Sequence, residues 1–203
     1  MSDHIITHPS NEAPVVFTAD DLGWLPWLEP LTEADLTETH WEGLVDRSRS
    51  KSDYFMLLAH DPEVLGARTR TDKDIFYNTK GGLPRAEREL AAAAVSRKNG
   101  CIFCASVHAR FAIHHLKRDR EVTALLEEGI PSPLTGRLGA VVEASAALSS
   151  TPPTFSPETV ANLVAQKLDD QEVVDLILAA SFFNWANRLM LSLGEPTLPT
   201  SKT

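Results

Sequence analysis

Glu89-Leu90-Ala91-Ala92-Ala93-Ala94-Val95-Ser96-Arg97-Lys98-Asn99-Gly100-Cys101-Ile102-Phe103-Cys104-Ala105-Ser106-Val107-His108 is the stretch that decides how this chain folds. Leu90 to Val95 carries no polar residue on any face, so a helix here must be buried nearly all round. That helix is expected from Pro84 to about Lys98, with Asn99-Gly100 as its stop, since both residues tolerate left-handed backbone. A second buried helix is expected from about Cys101 to Leu116. A turn as short as Asn99-Gly100 would fold the two helices back alongside each other, bringing Glu89 of the first towards His108 of the second.

On the second helix, offsets of zero, three and seven residues put Cys101, Cys104 and His108 at about 0°, 300° and 340°, which is one narrow face. Cys101 would occupy the first turn, where free backbone N–H groups and the positive end of the dipole favour a thiolate. His108, one turn beyond Cys104, can take that thiol's proton or support its anion. Glu89 can orient the imidazole and accept a proton, directly or through a water.

Blander readings of the same residues stay open. Zinc could be held by Cys101, Cys104, His108 and either His114 or His115, although structural zinc sites usually draw on two separate knuckles rather than one helix. Two inert, packed thiols are another possibility. Taken alone, Glu89 would pair with Arg85 or Arg88 on its own helix. Asn184, Asn187 and Arg188 of a late helix could hydrogen-bond near the site or at a subunit contact, yet polar residues on a long helix more often fill its solvent face, and they stay outside the catalytic set.

Outward from this centre the signals are helical. The box Thr32-Glu33-Ala34-Asp35 starts a helix reaching about Asp46. Short and long helices follow at Asp53 to about His60 and Pro62 to about Asn78, the latter capped by Asp61. Beyond the central pair, helices are expected at about Asp119 to Glu128 and Thr135 to Leu148. The linker Ser149 to Pro157 comes next, with Ser156 capping a further helix, and the last helix spans Asp170 to Leu193. Residues 1–30 hold Pro9, Pro14, Pro26 and Pro30 and read as an extended arm suited to wrapping a partner subunit, whereas 31–203 read as a single all-helical domain.

The chain has 203 residues, 43% of them hydrophobic and 23% charged, which is ordinary globular composition. A formal net charge of -9 argues against general nucleic-acid binding, and the basic cluster Lys117-Arg118-Asp119-Arg120 is short and interrupted. The N-terminus shows no secretory pattern, and Asp175, Asn184, Asn187 and Arg188 break the apolar run of the last helix short of a membrane span. A cytoplasmic, soluble protein is expected. In that compartment a CxxC pair reads as redox-active or metal-bound rather than as a static disulfide. No Gly-rich phosphate loop is present, so no cofactor is expected and electrons would arrive by thiol exchange.

Glu89, eleven residues, then Cys101-x-x-Cys104-x-x-x-His108 resembles the signature of the alkylhydroperoxidase D branch of the carboxymuconolactone decarboxylase family at all four positions. Downstream, Phe182-Phe183-Asn184-Trp185-Ala186-Asn187-Arg188 is similar to the closing helix of that family's uncharacterised peroxidase-related proteins. The resemblance therefore covers roughly Tyr54 to Gly194. It implies an all-α, alkylhydroperoxidase D-like helical bundle, carrying the Pro-rich arm in addition. It also implies a thiol-dependent peroxidase that reduces hydrogen peroxide or alkyl hydroperoxides. In this scheme Cys104 attacks the peroxide, Cys101 resolves the sulfenic acid to a disulfide, and His108 and Glu89 relay protons. The dipole reasoning favours Cys101 as the better thiolate, so the order of attack stays open.

Phe103 departs from the pattern, because the best-known peroxidases of the family carry histidine between the cysteines. The substitution removes one relay imidazole and leaves a more apolar pocket. The resemblance further implies an external dithiol reductant, either a lipoyl protein or a thioredoxin-like one, and a homo-oligomer, dimer or hexamer. Two other functions use the same residues. One is a disulfide oxidoreductase or redox adaptor acting on protein or lipoyl thiols, and the other is a non-catalytic helical assembly module whose CxxC binds metal or only packs.

Overall fold

The computed structural model describes residues 5–199, in which nine α-helices account for most of the chain. They are α1 Glu38–Leu44, α2 Asp53–Leu58, α3 Pro62–Tyr77, α4 Arg85–Asn99, α5 Ile102–Leu116, α6 Asp119–Glu128, α7 Gly136–Leu148, α8 Pro157–Ala165 and α9 Asp170–Leu193. The all-α class expected from the sequence is the one observed.

α4 is the central helix, packed by α5, α7 and α9, and every residue from Leu90 to Val95 is fully buried. Its alanines serve two neighbours at once. Ala93 and Ala94 face a cluster with Ala105, Ala109 and Leu125, whereas Ala92 joins a cluster with both cysteines and Phe183. Small side chains on all sides let three helices approach one axis, and a fully buried Leu90 or Val95 then adds roughly 1.5–3 kcal/mol each. Gly100 ends α4 at φ +82°, as Asn99-Gly100 predicted, and its N–H bonds to Ser96 O. The reversal lays α5 along α4.

Local chemistry sets most helix starts as read from sequence. Asp61 accepts from Val64 N at 3.1 Å with Pro62 at the first position of α3, and Asp169 and Glu172 close a capping box at the head of α9. The expected helix from Thr32 to about Asp46 is instead broken in two. Asp35 turns back onto Thr32, with 2.6 Å between Thr32 Oγ1 and Asp35 Oδ2, so Glu33–Asp35 forms one 3₁₀ turn and Leu36 becomes extended. Thr37 then caps α1 with His40.

The arm is extended but is tied to its own chain. Gly23–Pro26 forms strand β1, antiparallel to strand β2 at Gly194–Thr197, with Gly23 opposite Thr197 and Pro26 opposite Gly194. Sequence reasoning missed β2. Trp27 N donates to Leu193 O at 2.8 Å and Trp24 Nε1 to Met190 O at 3.3 Å, so the arm locks the end of α9. α9 is long and apolar enough by length and composition to cross a membrane, contrary to the expectation that its polar residues prevent this. Its face Val173, Leu176, Ala180, Phe183 and Met190 is nevertheless buried in the core of the bundle.

Candidate active site

Cys101 lies immediately before α5 as its cap residue rather than in its first turn, and Cys104 occupies the third helical position. Both are free thiols, at 2% and 6% exposure. The Cys104 side chain is the largest influence on the Cys101 sulfur. The Cys104 backbone N–H, one of the helix's free N-terminal donors, and the Asn187 side chain also stabilise that sulfur, and together they hold the Cys101 thiol below its ordinary range despite burial. Cys104 is pushed well above the usual thiol range, first by its pairing with Cys101 and second by burial. Of the two thiols, Cys101 is therefore the one that ionises first as pH rises.

Access runs the other way. A cavity of about 580 Å³ is lined by Cys104, His108 and Glu89, together with Tyr54, Phe76 and Phe103, and Cys101 lies behind it. A molecule entering from solvent meets Cys104 first. The cavity wall is rich in rings. His108 packs with its centroid 4.1 Å from Phe183 and 5.5 Å from Phe76. Phe103, the departure noted in the sequence, adds another ring beside Cys104.

Glu89 is 2% exposed, and its two oxygens are divided between partners. Oε2 accepts from His108 Nδ1 at 2.7 Å, while Oε1 accepts from Arg85 Nε at 3.2 Å. The carboxylate thus makes the cross-helix contact expected of a relay as well as the same-helix pair of the blander reading. Binding Nδ1 leaves Nε2 as the imidazole nitrogen available to the cavity. Arg88 takes a different path, donating to Ile75 O at 2.7 Å and Gly81 O at 3.0 Å, where it clamps the turn before α4. Among the described residues no group of three or more His, Cys, Asp or Glu side chains is arranged to hold a metal ion.

Other residues around the cysteines were left outside the catalytic set or not named for the site from sequence. Asn187 is fully buried, not on a solvent face, and joins Asn99 Nδ2 at 3.0 Å and Ser96 Oγ at 3.0 Å while reaching the cysteine pair. Asn184 belongs to the same network through Asn99 at 2.9 Å. Of Asn184, Asn187 and Arg188, only Arg188 is exposed. Tyr54 and Arg68, from α2 and α3, also line the cavity.

Residues 62–147 match the carboxymuconolactone decarboxylase family. The uncharacterised protein YdfG of Bacillus subtilis (strain 168) is 25% identical over 119 residues, covering 59% of this chain and 81% of YdfG. Among solved structures, the alkylhydroperoxidase AhpD core of an uncharacterised peroxidase-related protein from Ralstonia eutropha JMP134 superposes with TM-score 0.67 at 18% identity, over 92% of each chain. A cysteine-to-alanine variant of the debrominase Bmp8, in complex with 2,3,4-tribromopyrrole, gives TM-score 0.64 at 15% identity, over 90% of this chain and 91% of that one. The family match is thus confined to residues 62–147, under half of the chain, while the helices as a whole adopt the alkylhydroperoxidase D-like fold.

Proposed function

We propose that the protein is a thiol-dependent peroxidase that reduces organic hydroperoxides through Cys104 and Cys101. The observation that carries this reading is the division of the site: Cys104 opens on a cavity walled by the His108–Glu89 pair, and Cys101 lies behind it. His108 Nε2, left free by the bond from Nδ1 to Glu89, first takes the Cys104 proton. The Cys104 thiolate then attacks the terminal peroxide oxygen, the O–O bond breaks, and the leaving alkoxide takes a proton from His108, whose imidazolium charge Glu89 steadies. Cys101 next displaces hydroxide from the sulfenic acid, which leaves protonated as water. Two thiols and one hydroperoxide become one disulfide, one alcohol and one water.

An external dithiol returns the pair to its reduced form. Because both sulfurs are buried, a slender lipoyl arm suits the cavity better than a protein surface disulfide. Val174, Leu178 and Trp185 are exposed along one stripe of α9, which supports a homo-oligomer. Thiols kept reduced for this cycle fit the cytoplasm.

A second reading rests on the ring-lined wall. The debrominase Bmp8 shares the fold, and the same thiol pair could strip halogen from an aromatic ring, turning two thiols and an aryl bromide into a disulfide, the arene and hydrogen bromide. Incubating reduced protein with cumene hydroperoxide or with a bromopyrrole, and assaying cumyl alcohol and bromide, separates the two. Alcohol formed in step with thiol loss supports the peroxidase, whereas bromide without any peroxide turnover replaces it with the dehalogenase.

A further inference from the structure

Arg68 is a buried charge that the catalytic set leaves unexplained. It is only 8% exposed, its Nε has no hydrogen-bond partner among the described residues, and its contact with an acid is a long 3.5 Å approach to Asp72 Oδ2. That carboxylate is shared, since Arg49 Nη2 stands 3.9 Å from the same oxygen. Two guanidinium groups and one carboxylate leave this wall of the cavity positive. A buried cation held so loosely is costly unless an anion completes it. Rings surround the guanidinium on its other sides, with Cζ 5.4 Å from the Phe55 centroid and 5.2 Å from that of Phe182.

Tyr54 stands beside it, the guanidinium lying 5.9 Å from its ring centroid. Tyr54 is 9% exposed and its hydroxyl also has no hydrogen-bond partner among the described residues, so a buried donor and a buried cation are left incomplete in the same place. Both residues line the cavity with Cys104, and Tyr54 shares a buried cluster with both cysteines. The three groups sense one another. Cys101 and burial raise Cys104 while Arg68 opposes them weakly, and burial raises Tyr54 while Arg68 opposes it and charge on Cys104 adds to it. Burial pushes the Tyr54 phenol up to about 12, so it keeps its proton. Neither residue belongs to the Glu89–Cys101–Cys104–His108 set, and Tyr54 lies before the family match at 62–147.

We propose that Arg68 and Tyr54 form the oxygen-binding end of the cavity, Arg68 pairing with the Cys104 thiolate and the Tyr54 hydroxyl donating to the leaving oxygen of a ring-bearing hydroperoxide. This rests on the peroxidase reading above and adds two residues to it. The O–O bond of the hydroperoxide breaks as sulfur takes the terminal oxygen. Tyr54 gives a hydrogen bond and no proton, so the proton count of the cycle is unchanged. The rings of Phe55, Phe76 and Phe103 flank the organic part of the substrate.

The test uses the full-length protein with Cys101→Ser, so that only Cys104 reacts. Stopped-flow oxidation by cumene hydroperoxide is compared with alkylation by iodoacetamide, which needs the thiolate but has no leaving oxygen to stabilise. Tyr54→Phe is expected to slow oxidation about tenfold, the worth of one hydrogen bond, while alkylation stays within about twofold. Arg68→Met is expected to slow both reactions, and Arg68→Lys to recover part of each. Equal slowing of both reactions by Tyr54→Phe, or no slowing of oxidation, overturns the role of Tyr54. Undiminished alkylation in Arg68→Met overturns that of Arg68. If the parent protein with both cysteines loses no thiol to any hydroperoxide, the peroxidase reading fails first and this inference falls with it. If the parent reacts and the variants react equally fast, only this inference fails.

Discussion

Replacing Glu89 by glutamine keeps the length and shape of the side chain and removes its charge. The native carboxylate is 2% exposed and accepts from His108 at 2.7 Å and from Arg85 at 3.2 Å, so both contacts are charge-assisted hydrogen bonds in a dry site. An amide oxygen can keep one of them as a neutral acceptor, while its NH₂ meets donors and gains nothing. Hydrogen bonds to charged groups contribute roughly 1.5–3 kcal/mol. If the ion pair steadies His108 as it becomes charged or passes on a proton, that loss translates into about a 10- to 150-fold fall in the rate of Cys104 oxidation. The assay is the second-order rate constant for loss of thiol with cumene hydroperoxide, measured beside a urea melt so that chemistry and folding are separated. A Glu89→Gln protein with native stability and an undiminished rate would refute the relay and leave Glu89 as a structural ion-pair partner of Arg85.

Asn187→Leu should destabilise the reduced protein by about 1–3 kcal/mol in a urea titration, because it strips a partner from Asn99 and Ser96 in a fully buried network. Thiolate absorbance of the reduced protein should rise in two separated steps, the first below the ordinary thiol value of 9.0 and the second well above it. In the linked stability, the depressed Cys101 contributes above the unfolded-state value and loses that contribution as pH falls through its folded value. The raised Cys104 works oppositely, its contribution vanishing as pH climbs through its own folded value. Cys104→Ala should move the first step upward, since the Cys104 side chain is the largest influence lowering Cys101. Gly100→Ala should cost about 1–2 kcal/mol by thermal melting purely through its φ of +82°, as a methyl group there meets no atom within 4 Å.

The fold was largely legible because its decisive signals are local. Pro62 after Asp61 places a helix start, Asn99-Gly100 places a reversal, and α6 and α9 have the bounds read from their residues alone. Where the reading failed, a distant or competing contact won. Thr32 and Thr37 each cap a segment, which splits one expected helix into two. Gly194–Thr197 becomes a strand only because β1 runs beside it. The site divides the same way. Glu89 and His108 meet because a two-residue turn fixes their helices side by side, an arrangement that spacing can convey. Asn187 carries a weaker mark, since a polar residue on a long helix reads as solvent-facing more often than site-facing until Asn99 and Ser96 are seen to enclose it. Tyr54 and Arg68 come from α2 and α3, far from the cysteine motif in sequence, and their missing partners show only once the cavity has a wall.

The most direct test of the account mixes the fully reduced protein with one equivalent of cumene hydroperoxide in a stopped-flow instrument and weighs the intact product. Rapid loss of both thiols, a product lighter by two hydrogens with a Cys101–Cys104 disulfide, and a stable sulfenic acid on Cys104 in the Cys101→Ser protein are the predicted results. A protein that keeps both thiols, or one in which Cys104→Ser reacts as fast as the parent, would contradict it.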